Sequence, residues 1–144
     1  MEFHKILIAI DKSQSAEKVA KSGLELAKQF NSEIALVTII DESANESGDQ
    51  PTAREIEDMR GHNLNHSQRQ VIEKVFKDFP IKSFVEDGEP AQAIVKIAEL
   101  WGADVIVMGT HGRKGLSHLI MGSVAEEVIR NSKKTMVVIP ISEA

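Results

Sequence analysis

The 144-residue chain contains no cysteine, which excludes disulfides, thiolate metal sites and cysteine catalysis. No apolar run approaches the ~20 residues that a membrane-spanning helix needs. The N-terminal MEFHKILIAID begins a strand and lacks a signal-peptide layout. No basic block or basic helix face stands out in a chain of net charge −5, so nucleic acid is a poor choice of partner. Several catalytic signatures are also missing. There is no G-x4-G-K-[ST] P-loop, no G-x-G-x-x-G after the first strand and no G-x-S-x-G nucleophile elbow. No residue is persuasively placed as a general base or nucleophile. Composition, with 42% apolar and 27% charged residues, is that of an ordinary globular protein, and the length suits a single domain over residues 1–144. The simplest reading is a cytoplasmic protein that binds rather than turns over its ligand, with no membrane and no nucleic acid among its partners.

What is present alternates strand and helix patterns. Ile6–Ile10 reads as a strand. Ser13 or Ser15 can cap the helix that follows, with Ala16, Val19, Ala20, Gly23, Leu24, Ala27 and Phe30 on one face. Ile34–Ile40 is a second strand, and Asp41–Thr52 a polar loop. A long helical pattern follows over 53–79, with Gly61 inside it and Pro80 as its stop. Ile81–Glu86 is a third strand. Pro90 suits the first turn of a helix whose apolar face runs through Ala91, Ile94, Val95, Ala98 and Trp101. Ala103–Met108, Ser123–Asn131 and Thr135–Ile139 read as strand, helix and strand. Such alternation implies an α/β fold, an open doubly wound sheet of parallel strands with right-handed crossovers.

The fourth strand runs straight into spaced glycines: Gly109-Thr110-His111-Gly112, nine residues, then Gly122-Ser123 at a helix start. Glycines there let main-chain N–H groups approach a ligand without an intervening Cβ, and a helix N-terminus favours phosphate. Each piece also has a plainer reading, as a tight turn or as an ordinary serine at a helix start. His111, Arg113 and Lys114 lie in the same loop, within reach of outer phosphates, and the two cations supply the local positive field that an acidic protein needs. Asp11 ends the first strand, where a carboxylate suits a ribose hydroxyl or Mg²⁺, or simply the start of the next helix. His62 and His66 share a helix face, but no cysteine or well-placed carboxylate completes a zinc set, and they read as a solvated face.

The spacing Gly109-x2-Gly112-x9-Gly122-Ser123, the surrounding VIVMGTHGRKGLSHLIMGSVAEEVIRNSKKTMVVIP and the N-terminal KILIAIDKS resemble the ATP-binding branch of the universal stress protein family. The likeness covers nearly the whole chain and is weakest over Ser43–Asp58. It implies an adenine nucleotide alpha hydrolase-like sandwich around a five-stranded parallel sheet of order 3-2-1-4-5. It further implies that Gly109, Gly112, Gly122, Ser123 and Val124 contact phosphate and ribose, that Asp11 is a ligand-binding residue, and that Ala9 and Ile39 border the adenine, Ile39 through its backbone. Met108 packs against base or sugar in that picture, or is simply a buried strand residue. Ala125 stands where a hydroxyl residue would add a contact. The expected ligand is ATP, with Mg²⁺ near Asp11, AMP and ADP being alternatives. The expected partner is a second copy of the chain, joined through the edge strand Thr135–Ile139. The implied function is nucleotide-dependent regulation in a stress response. The alternatives are an ATP-hydrolysing enzyme using the same cleft and a dimeric interaction module without nucleotide. A Gly109→Val, Gly122→Val double substitution is expected to abolish ATP binding while sparing the fold.

Overall fold

Five short runs of aliphatic residues line up as parallel strands in the computed structural model, which describes residues 3–11, 15–40, 66–110 and 123–141. They are β1 (Lys5–Ile10), β2 (Glu33–Ile40), β3 (Ile81–Asp87), β4 (Val105–Gly109) and β5 (Thr135–Ile139). Parallel neighbours require crossover connections. The helices described between them are α1 (Ala16–Phe30), α2 (His66–Val71, continued by a π-helix over Ile72–Phe76), α3 (Pro90–Trp101) and α4 (Ser123–Asn131). The sheet order is β3-β2-β1-β4-β5, the doubly wound arrangement expected.

Side-chain alternation divides the core in two. Ile6, Ile8 and Ile10 of β1 face α1 and α2, together with Ile34, Leu36, Val105 and Val107. Leu7 and Ala9 face α3 and α4, together with Ala35, Val37, Ile106 and Met108. With both faces covered, the central strands are continuously apolar rather than alternating. Among the described residues no helix is long and apolar enough to cross a membrane.

Local chemistry accounts for most boundaries and corrects some expectations. Ser15 stands at the N-cap of α1 in αR conformation, and its side chain makes no capping bond. The helix is instead held to the sheet by close approach: a Cβ on Gly23 would lie 2.4 Å from Ile8 Cδ1 and 2.7 Å from Cγ1. It stops at Asn31, whose φ of 55° and ψ of 49° leave the helical region, a conformation that asparagine tolerates. Phe30 is not in the core; it is 48% exposed and meets Phe3 edge to face at 4.9 Å. The long helical pattern over 53–79 is described from residue 66 onward. It ends at Phe76 rather than Phe79, because Lys77 turns to φ 32° and its N–H closes back on the Ile72 carbonyl. Pro80 therefore follows the stop rather than causing it. Phe76 and Val71 bury this segment against α1 and the sheet, each contributing on the order of 1.5–3 kcal/mol. For α3, Pro90 takes the first turn as expected, and Glu89 adds a cap the sequence reading lacked, its carboxylate accepting from the Gln92 N–H at 2.9 Å. Gly102, at φ 81°, ends α3 and returns its N–H to Ala98 and Glu99.

Candidate functional site

The connection leaving β1 passes through α1 on one face of the sheet, while the connection leaving β4 passes through α4 on the other. Neighbouring strands whose connections diverge in this way open a crevice beyond their C-terminal ends. The hydrogen-bonded registers show where it begins. The β1–β2 pairing continues to Ile10↔Thr38 and the β4–β5 pairing to Gly109↔Ile139. Between β1 and β4 the register runs Ile6↔Val105, Leu7↔Ile106, Ile8↔Val107 and stops. Ala9–Ile10 and Met108–Gly109 continue as strand without pairing to each other, so the middle of the sheet splits at this end.

Four of the expected contact residues collect on one side of the split. Ala9 and Met108 are 8% and 6% exposed in the core beneath α3 and α4. Ile39 and Val124 are partly buried against the same cluster. Val124 lies in the first turn of α4, so this apolar set adjoins the helix N-terminus. Asp11 follows β1 directly and is half-buried. Gly109 closes β4, and Ser123 opens α4. The split, the carboxylate and the helix start thus share the C-terminal rim of the sheet. His111, Gly112, Arg113, Lys114 and Gly122 lie outside the described residues, as does His62. Ala125 is 1% exposed and packs into the core with Val128.

Gly109 has a structural duty beside any binding role. A Cβ there would lie 3.0 Å from Ile141 Cγ1 and 3.3 Å from Val19 Cγ2. A side chain at 109 needs both neighbours to give by a few tenths of an ångström, so Gly109→Val is expected to cost some stability beside any effect on binding. The sequence reading also passed over Thr110, which is 9% exposed. Its N–H donates to the Ile139 carbonyl at 3.0 Å, and its Oγ1 accepts from the Ile141 N–H at 3.0 Å. The only sequence signal was a hydroxyl residue directly after a strand-ending glycine.

A second opening lies on the same rim, at the end of β3 and the start of α3. This cavity, about 210 Å³, is lined by Glu86, Asp87, Gly88, Glu89, Gln92 and Lys96 among others. Three carboxylates against one ammonium make it a poor receptor for a polyanion. Among the described residues, no group of three or more histidines, aspartates and glutamates is arranged to hold a metal ion.

Fold and rim thus define a doubly wound α/β protein whose candidate ligand site lies at the β1/β4 switch point. The universal stress protein family matches residues 2–140, and the chain belongs to that family. It is 31% identical to universal stress protein MJ0531 of Methanocaldococcus jannaschii, the alignment covering 95% of this chain and 82% of that protein. To universal stress protein MJ0577 of the same organism it is 30% identical over 95% of this chain and 94% of the relative. The solved structure of MJ0577 superposes with a TM-score of 0.72, covering 100% of both chains. Two more distant structures share the fold. One, a universal stress protein in complex with cAMP, is 20% identical with a TM-score of 0.73, covering 99% of this chain and 100% of that one. The other, from Archaeoglobus fulgidus in complex with dAMP, is 23% identical with a TM-score of 0.64, covering 96% and 99%.

Proposed function

We propose that this universal stress protein binds an adenine nucleotide, ATP in preference, in the split between β1 and β4, and acts in the cytoplasm as a single-domain regulatory module whose occupancy is read by a partner. The observation that carries this reading is the early end of the β1–β4 register at Ile8↔Val107. It leaves an opening with an apolar wall of Ala9, Ile39, Met108 and Val124 on one side and the N-terminus of α4 at its end. A flat aromatic base suits the wall. Phosphates suit the main-chain N–H groups of Gly109, Ser123 and Val124, with those of Gly112 and Gly122 and the side chains of His111 and Arg113 completing the set. Asp11 would hold a ribose hydroxyl or, with the phosphates, Mg²⁺. Adenine nucleotides in two relatives of the same fold support the choice of base.

Occupancy would act by population shift: a nucleotide that binds one loop arrangement better raises its share, and a partner selects that arrangement. The mass of any small molecule released on denaturing the purified protein, followed by calorimetric titration with Mg·ATP, tests the proposal. A protein that carries no nucleotide and gives no heat with Mg·ATP would refute it.

The same reading includes a homodimer through β5. The residues Thr135–Ile139 carry no charge on an edge of the sheet, each of them partly exposed. An open apolar edge invites aggregation, and pairing with a symmetry mate removes it. Placing a charge there by Val137→Lys should convert a dimer into a monomer in sedimentation; a wild type that already sediments as a monomer would remove this part of the proposal.

A further inference from the structure

The chain leaves β4 under a restraint that its glycine does not supply. The bond from Thr110 N–H to Ile139 and the bond from Ile141 N–H to Thr110 Oγ1 carry the β4–β5 pairing past its last register pair. The second of these depends on a side chain. On the other side of Gly109, Ile141 and Val19 fill the space that a Cβ would need. The Lys18 ammonium, from α1, donates to the Pro140 carbonyl at 2.8 Å. Pro140 and Ile141 are therefore gripped from α1 and from Thr110 at once. Thr110 is 9% exposed and its bond to Ile141 is part-buried, so an Ile141 N–H deprived of that acceptor loses a bond that water replaces only in part.

We infer that Thr110 is a positioning residue for the nucleotide site, with Pro140–Ile141 as its anchor: this clasp sets the direction in which main-chain N–H groups leave the end of β4. The inference rests on the nucleotide reading above. A site built from main-chain donors has no rotamer with which to recover lost geometry. Its affinity falls by whatever fraction of the time the backbone points elsewhere. Removing the hydroxyl lowers that competent fraction without touching any ligand contact.

The test is calorimetric titration of the full chain with Mg·ATP, run beside hydrogen exchange at the Ile141 amide. Thr110→Val keeps the shape and deletes the acceptor. Its affinity should fall roughly three- to tenfold, the scale of one lost buried hydrogen bond, and the Ile141 amide should exchange faster. Thr110→Ser keeps the acceptor and should match wild type on both readouts. Lys18→Met releases Pro140 from an exposed position and should weaken binding by about twofold. If Thr110→Val does not fold, Lys18→Met decides: weaker binding supports the clasp and wild-type binding overturns it. Wild-type affinity in Thr110→Val, or an equal loss in Thr110→Ser, overturns the inference while leaving the nucleotide reading intact. A wild-type chain that does not bind Mg·ATP overturns both.

Discussion

Two openings on one rim of the sheet differ in what made them. The cavity at the end of β3 is a gap between a strand end and a helix start. Glu89 there already serves α3 as its cap, and Glu86 and Asp87 line the wall. The split between β1 and β4 arises because two paired strands stop pairing while both continue. Its walls are core residues on one side and main chain at the end. The first opening repels anions, and its polar groups are partly engaged in local structure. The second lies where two strands, each still paired to its outer neighbour, cease to pair with one another and their connections diverge. The source of each feature, and the sign of the charge around it, separate the two.

The sharpest way to break this contrast is Gly109→Val. It crowds Ile141 and Val19 and closes the end of β4, so urea unfolding should show a loss of about 1–3 kcal/mol and Mg·ATP titration should show no binding. A variant that binds normally would move the ligand away from the split. Asp11→Asn tests the carboxylate beside β1 with little effect on packing. Its expected outcome is a roughly tenfold weaker affinity at unchanged melting temperature, the scale of a hydrogen bond to a charged group. Unchanged affinity would remove Asp11 from the site. The smallest effect belongs to the other opening. Glu86→Gln with Asp87→Asn removes two negative charges there, and affinity should move by less than about twofold, because charges that water still reaches are screened by salt at a distance. A marked loss would place the nucleotide in the acidic cavity and reverse the contrast.

A close approach such as that of Gly23 to Ile8, or of Gly109 to Ile141, joins residues far apart in the chain and leaves no signature beyond the glycine itself. Local signals were read well. Pro90 opens α3 because its missing N–H is not needed there, and the apolar runs of β1, β2 and β4 are strands because both faces are covered. The end of α2 is not legible from Pro80, because Lys77 makes the stop before the proline is reached. Of the two candidate caps, Ser13 lies outside the described residues and Ser15 has a residue type that permits a cap but a backbone conformation that does not deliver it. In the candidate site, Asp11 and Gly109 were visible as residues of suitable chemistry at strand ends. Thr110 was not, since its partner stands 31 positions away.

Sequence by itself determined the alternation of strand and helix, the apolar character of the central strands and the glycine spacing after β4, because each depends on the chemistry of neighbouring residues. Tertiary structure alone decided that the β1–β4 pairing ends at Ile8↔Val107, that Gly109 packs tightly against Ile141 and Val19, and that Thr110 is fastened to Ile141. Those are contacts between segments distant in the chain, and only the packing of one sheet between two helical layers brings them within bonding distance.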